Sequence, residues 1–148
     1  MGKLKLKSEN LFSALERLHE ATIDFENAQA KPESTDSIDS DRLGRALRDS
    51  LIQRFEFTVD LFWKYIKRYL EEEAKLTVSV NAPKQVVRNA CKAKLLTEDD
   101  TVTILEIIDD RNTSSHIYKE EIADQISTRI PNYYRIIKKY AEQLRPSQ

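Results

Sequence analysis

The segment richest in chemically useful side chains is RNTSSHIY, which runs from Arg111 to Tyr118. A continuous helix through it would place Arg111 and His116 about 140° apart around the axis, too far to address one group. Asn112 and the three hydroxyl residues after it are poor interior helix formers and good caps. We therefore predict that one helix ends near Arg111 and the next begins near Ser115, which would bring the guanidinium and the imidazole together.

This arrangement would suit a phosphate or a nucleotide. His116 and Tyr118 would lie in the first turn of a helix, where free N–H groups and the helix dipole favour anions and a neutral imidazole. A neutral imidazole can accept a proton, and Arg111 offers planar, paired donors to phosphate. In the other interpretation, Arg111 pairs with Asp109 or Asp110 and His116 only caps a helix. Spacing alone does not separate the two.

The composition restricts the class of protein. The chain has 148 residues, enough for one domain, and its two glycines and four prolines favour helix. A net charge of −1 argues against a general nucleic-acid or DNA binder but permits a local basic site. No apolar run reaches the roughly 18 residues of a membrane span, and no signal-peptide pattern opens the chain. With Cys91 as the single cysteine, we expect a cytoplasmic protein without membrane attachment.

Hydrophobic periodicity predicts two long helices in the first half of the chain. The first runs over about residues 8–30, and the second, which should be the central and most buried helix, over about residues 41–73. Residues 31–40 (KPESTDSIDS) are predicted to form an exposed loop because Ser, Thr and Asp side chains favour turns. Residues 77–81 are predicted to be an extended connection.

Three further helices are predicted in the second half. Pro83 suits the first turn of a short helix, and Thr97 is a good N-cap for the next. The last helix follows the RNTSSHIY segment and should kink or break at Pro131, after about Arg129. The order predicts an all-α, antiparallel up-and-down bundle of four to five helices, with residues 1–148 forming a single domain.

Apolar residues at helical spacing predict the core. The buried stripes should include Ile23 in the first helix, Leu43 in the second and Val102 in the fourth. An aromatic group is assigned to the core or to a dimer interface rather than to base stacking; it comprises Phe55, Phe57, Phe62 and Trp63.

The pattern Arg-x4-His-x-Tyr, formed by Arg111, His116 and Tyr118, resembles the motif of HEPN-domain proteins of the HepT kind. These include proteins long labelled nucleotidyltransferase substrate-binding subunits. The resemblance covers nearly the whole chain. It also rests on two longer segments: QRFEFTVDLFWKYIKRYL (53–70) and PKQVVRNACKAKLL (83–96).

Two residues depart from the family pattern. Asp60 stands where a glutamate is expected, and Thr103 lies near a position where an aromatic residue is common. We expect neither to touch the motif.

The resemblance implies a homodimer in which the two motifs face each other. It implies a metal-independent ribonuclease toxin, without a cofactor, that is silenced when a small MntA-like nucleotidyltransferase adenylylates the motif tyrosine. Matched residue by residue, the catalytic pair is Arg111 and His116, and the acceptor is Tyr118. Asn112 and Ser115 would support the site or bind nucleotide. The alternative is a non-catalytic subunit that binds a nucleotide or substrate for a two-component nucleotidyltransferase.

Other candidate residues favour structural roles. His19 has no second ligand at useful spacing, so we expect a surface or partly buried histidine rather than a metal ligand. Cys91 is expected to be a small buried filler rather than a reactive thiol. Lys64, Lys67 and Arg68 share one side of the second helix, where they would either guide RNA or form an ordinary solvated face.

Overall fold

The computed structural model describes residues 2–30, 37–76, 81–115 and 119–146. Within these ranges the chain forms five helices and no strand, as the all-α prediction requires. The helices are α1 (Gly2–Ala30), α2 (Ser37–Glu72), α3 (Pro83–Lys92), α4 (Glu98–Ser114) and α5 (Glu120–Gln143).

The long helix α2 is the centre of the bundle, because it packs against each of the other four helices. Its apolar face is fully buried and includes Leu51, Phe55, Phe62 and Ile66. Each such side chain contributes roughly 1.5–3 kcal/mol when it is removed from water. The prediction that the second helix is the most buried one is consistent with this central position.

Side-chain pairs fix the directions of the neighbouring helices. Glu56 and then Asp60 of α2 contact Ser114 and then Arg111 of α4, so α4 runs antiparallel to α2. Asp100 and Asp110 near the two ends of α4 contact α5 at Tyr140 and Tyr133, in reversed order. The antiparallel bundle predicted from the sequence is therefore confirmed, with α4 lying against both α2 and α5.

The structure corrects several helix limits. Helix α1 already begins at Gly2, and α2 begins at Ser37, so residues 37–40 of the predicted loop are helical. The rest of that loop, residues 31–36, lies outside the described residues, as do residues 77–80 of the predicted extended connection.

Helix α5 is continuous past Pro131, so of the two predicted outcomes, a kink or a break after about Arg129, the break does not occur. An interior proline removes one N–H donor and crowds the carbonyl four residues earlier, so the helix around it must be held by other contacts. Ile130, Tyr133 and Ile137 on either side of the proline are all buried in the core.

The core prediction fails for three apolar residues, since Ile23, Leu43 and Val102 are exposed. In α4 the buried face consists of Thr101, Ile104, Ile107 and Ile108, and that choice of face turns Val102 outward. Two local predictions are right: Pro83 is the first residue of α3, and the Thr97 side chain accepts a hydrogen bond of 3.1 Å from the backbone N–H of Asp100. None of the described helices is long and apolar enough to cross a bilayer.

Candidate functional site

Arg111 lies in the last turn of α4 and is bound by a carboxylate of α2. Its Nε and Nη2 atoms donate to the two oxygens of Asp60 at 3.0 and 2.9 Å. Its Nη1 atom donates to the hydroxyl of Ser115 and lies 3.9 Å from Oε2 of Glu56. The guanidinium is thus held in one orientation at the junction of two helices, with 25% of its side chain exposed.

This pairing overturns two expectations. Asp60 does touch the motif, because its carboxylate is the principal partner of Arg111. The acids next to Arg111 in the sequence have other partners: Asp109 pairs with Lys84, and Asp110 accepts hydrogen bonds from Arg129 and from a tyrosine of α5. Arg111 therefore does pair with acids, as the other interpretation expected, but these acids lie on α2 and are not Asp109 or Asp110.

Helix α4 continues to Ser114, so the predicted end near Arg111 is wrong. The Ser114 hydroxyl, which was expected to cap a helix, lies inside α4 instead. The Ser114 hydroxyl lies 2.8 Å from the carbonyl oxygen of Arg111 and 2.5 Å from Glu56 of α2, and Ser115 lies 3.3 Å from the same carbonyl oxygen. Back-bonding by a hydroxyl does not by itself favour a helix, so the tertiary bond from Ser114 to Glu56 is what holds this last turn against α2.

The next helix begins later than predicted. Ser115 is the C-cap of α4, and α5 starts at Glu120 after Lys119. The predicted start of the last helix near Ser115 is therefore wrong. The placement of His116 and Tyr118 in the first turn of a helix stays a prediction. Their own positions fall outside the described residues. The convergence of Arg111 and His116 stays a prediction.

The start of α5 is also tied to α2, through Arg48. Its guanidinium donates to Asp124 at 3.2 Å and lies 3.7 Å from a carboxylate oxygen of Glu120. Glu56 and Asp60 bind the end of α4, and Arg48 binds the start of α5. The segment that carries His116 and Tyr118 is consequently anchored to the same helix at both of its ends.

The electrostatics of the site centre on Arg111. The hydrogen bond to Asp60 raises the pKa of Arg111, partial burial acts in the opposite direction, and the charges of Asp60 and Glu56 raise it further. The group is therefore a permanent cation. A guanidinium has five N–H donors. The bonds to Asp60 and Ser115 use three of them, which leaves one donor on each terminal nitrogen.

The sequence motif does not include two residues of this cluster, Glu56 and Asp60. A signal was present: they are four residues apart, so a helix places both carboxylates on one face. Of the predicted supporting residues, Ser115 contacts Arg111 directly, whereas Asn112 is solvent-exposed.

A cavity of about 380 Å³ opens next to this cluster, between α2, the end of α4 and the start of α5. We call it the α2–α5 pocket. Its walls combine apolar, acidic and basic side chains. The lining residues that matter below are Arg48, Asp49, Ile52, Gln53, Glu56, Lys119 and Glu120.

The other sequence candidates lie elsewhere. His19 is exposed and stacks on Tyr134, with ring centroids 5.1 Å apart. Cys91 is half-buried. No group of three His, Cys, Asp or Glu side chains in the described parts of the chain is placed to hold a metal ion. Lys67 and Arg68 bond to Asn81 and Glu72.

Comparison with known proteins places the chain in a family. The family model described as nucleotidyltransferase substrate binding protein like matches residues 8–146, so the chain belongs to this family, as the sequence resemblance predicted. No curated protein matches the chain.

Solved structures agree with the fold. A protein from Thermus thermophilus is 29% identical, with 87% of this chain and 99% of that protein covered and a TM-score of 0.64. A Haemophilus influenzae protein, reported to reveal the fold of a substrate binding domain of a nucleotidyltransferase, has a TM-score of 0.78 at 24% identity. That comparison covers 94% of this chain and 99% of the other.

Proposed function

We propose that this chain is a HEPN-type ribonuclease toxin of a toxin–antitoxin pair, acting as a homodimer in the cytoplasm. It cleaves RNA by metal-independent acid–base chemistry with Arg111 and His116. A partner minimal nucleotidyltransferase of the MntA kind neutralises it by adenylylating Tyr118. Family membership supports the nucleotidyltransferase partner, and the arrangement around Arg111 supports the phosphate chemistry.

The observation that carries the proposal is the bidentate bond between Asp60 and Arg111. It fixes the plane of the guanidinium at the end of α4, close in sequence to His116. The two remaining N–H groups suit the non-bridging oxygens of a phosphate, which arginine binds through paired hydrogen bonds. A preoriented cation stabilises charge that develops during reaction without having to reorganise.

The cleavage step follows from these side chains. The imidazole of His116 takes the proton of a ribose 2′-hydroxyl, and the 2′-oxygen forms a bond to the adjacent phosphorus. The bond from phosphorus to the 5′-oxygen breaks, and the second protomer's copy of the motif histidine protonates that oxygen. Arg111 stabilises the charge on the phosphoryl oxygens. The products are a 2′,3′-cyclic phosphate and a free 5′-hydroxyl.

The same site explains silencing. Tyr118 lies two residues after His116, so AMP attached to its hydroxyl adds a bulky anion next to the position proposed for the RNA phosphate. Steric exclusion and repulsion between the two phosphates then both oppose substrate binding.

A second function is favoured by a specific observation. The guanidinium of Arg111 already forms an ion pair with Asp60 and lies near Glu56, which together outweigh its single positive charge. An arginine held in this way can bind and orient a ligand without taking part in a reaction. The chain would then be a non-catalytic nucleotide- or substrate-binding subunit of a two-component nucleotidyltransferase.

Cleavage of single-stranded RNA in the presence of EDTA separates the two functions. We expect the unmodified protein to release 2′,3′-cyclic phosphate ends. His116→Ala and Arg111→Ala should each lose at least about 100-fold in rate. His19→Ala and Arg17→Ala, which alter an exposed histidine and an exposed arginine of α1, should cleave as the wild type does.

Absence of cleavage by the unmodified wild type would refute the nuclease and support the binding subunit. The regulatory part is tested by co-expression with the partner transferase. The mass should increase by one AMP group in the wild type and remain unchanged in Tyr118→Phe.

A further inference from the structure

The α2–α5 pocket has the properties of a ligand site. Its volume of about 380 Å³ lies within the usual range for small-molecule pockets, about 300–1,000 Å³. Ile52 provides an apolar wall, while Gln53 and Glu56 provide polar groups. The pocket also borders the arginine cluster, because Glu56 lines it and lies 3.9 Å from Nη1 of Arg111.

A second observation points to a missing hydrogen-bond acceptor in this place. Arg48 lines the pocket, is only 8% exposed, and its Nε atom is buried without a hydrogen-bond partner. Its terminal nitrogens are satisfied by Asp49 and Asp124. A buried donor without an acceptor costs about 1–3 kcal/mol, so the wall of the pocket contains an unsatisfied polar group.

The charges of the lining favour a neutral polar group over a second phosphate. The carboxylates of Asp49, Glu56 and Glu120 face the cavity together with the cations of Arg48 and Lys119, so negative groups outnumber positive ones. The terminal nitrogens of Arg48 are already bonded to Asp49 and Asp124, so they offer little to a phosphate. A nucleobase is uncharged, fits against Ile52 and has both donors and acceptors on its edge.

We propose that the α2–α5 pocket binds the base of a nucleotide whose phosphate lies at Arg111, and that it prefers bases with an exocyclic amino group. The position of the phosphate rests on the proposed function above. Carboxylates only accept hydrogen bonds, so Asp49 and Glu56 match the amino group of adenine, guanine or cytosine. Uracil instead has a carbonyl oxygen on each side of its single N–H.

Calorimetric binding of AMP, GMP, CMP, UMP and inorganic phosphate to the full-length protein tests this inference. We expect UMP to bind about tenfold more weakly than the other three nucleotides, the effect of one mismatched base contact. Gln53→Trp, at an exposed position of the pocket wall, should weaken AMP binding at least tenfold and leave phosphate binding unchanged. Gln125→Trp, on an exposed face of α5 away from the pocket, is the matched control.

Equal affinity for UMP and AMP, or unchanged AMP binding in Gln53→Trp, would overturn the inference. Asp49→Asn tests the selectivity without altering the core, since 69% of the Asp49 side chain is exposed. This variant should reduce the difference in binding affinity between AMP and UMP. An unchanged difference in affinity would contradict the assigned role of the carboxylates.

The same experiments distinguish this inference from the nuclease proposal. If His116-dependent cleavage occurs but Gln53→Trp binds AMP normally, the pocket assignment fails and the nuclease stands. If no RNA is cleaved but AMP binding depends on Gln53, the nuclease fails and the pocket stands.

Discussion

Asp60 of α2 accepts two nearly parallel hydrogen bonds from Arg111 of α4, at 3.0 and 2.9 Å. The central cation of the candidate site is thereby fixed by a residue 51 positions away in the sequence rather than by its own segment. Two further hydrogen bonds reinforce the same junction: one joins Arg111 to Ser115, and the other joins Ser114 to Glu56.

Substitution of Asp60 should therefore impair activity more than folding. We expect Asp60→Ala to reduce kcat/KM for RNA cleavage by roughly 10- to 100-fold, because loss of a charge-assisted bond of about 1.5–3 kcal/mol frees the guanidinium to rotate. Asp60→Glu retains the carboxylate and should recover most of the rate. Equal rates for Asp60→Ala and the wild type would show that Asp60 does not position Arg111.

The contact between Arg48 and the start of α5 should contribute to stability. We expect Arg48→Ala to lower the free energy of unfolding in urea by about 1–2 kcal/mol, because a largely buried cation loses its bond to Asp124. Arg45→Ala is the control. Arg45 is half exposed, and its ion pair with Glu120 is long, at 3.9 Å. Its loss should therefore change the free energy of unfolding by less than about 0.5 kcal/mol. Equal effects in the two variants would contradict the role given to Arg48.

Asp100 should make the protein sensitive to acid. Hydrogen bonds from Lys139 and then Tyr140 lower the pKa of Asp100, while partial burial acts in the opposite direction. A carboxyl with a lowered folded-state pKa stabilises the protein above its unfolded pKa of about 3.9, and this contribution disappears as the pH falls through the folded value. We expect the wild type to have a higher Tm than Asp100→Asn at pH 7, with the difference shrinking below about pH 4.

Asp99→Asn is the matched control for that series, since Asp99 is an exposed neighbour in the same first turn of α4. At pH 7 its Tm should differ less from that of the wild type than the Tm of Asp100→Asn does. A difference between the wild type and Asp100→Asn that stays constant down to pH 2 would show that the ionised carboxylate of Asp100 is not the stabilising species.

The proposed homodimer is expected to use the exposed face of α2. In the aromatic group predicted to be core or interface, Phe55, Phe62 and Trp63 are buried, but 59% of Phe57 is exposed. It precedes Asp60 by one turn, so a second copy packed on it would bring two motifs close together. By light scattering, the wild type should have twice the monomer mass and Phe57→Asp the monomer mass. Val102→Asp, at an equally exposed position on α4, should remain dimeric.

The sequence was sufficient for the features that local rules and periodicity determine. The Thr97 cap, the start of α3 at Pro83 and the all-α bundle follow from side-chain chemistry near each position. The end of α4 did not follow, because Ser114 is satisfied by Glu56 on another helix. Propensity alone favours a break there, and a tertiary contact overrides it.

The candidate site shows the same division. The motif spacing identified Arg111 but gave no indication of Asp60. The two residues meet only because α4 packs against α2. Likewise, apolar spacing placed Val102 in the predicted buried stripe, but it does not determine which side of α4 faces the core. Four residues of that helix were sufficient to form the buried face, and Val102 was left exposed.

The most direct test of the account is a crystal structure of the protein with an RNA whose reactive ribose lacks its 2′-hydroxyl. We predict one phosphate with oxygens within about 3.2 Å of both the Arg111 guanidinium and the His116 imidazole, the usual limit of a hydrogen bond. A phosphate bound away from Arg111, or a His116 side chain directed away from that phosphate in every subunit, would contradict the account.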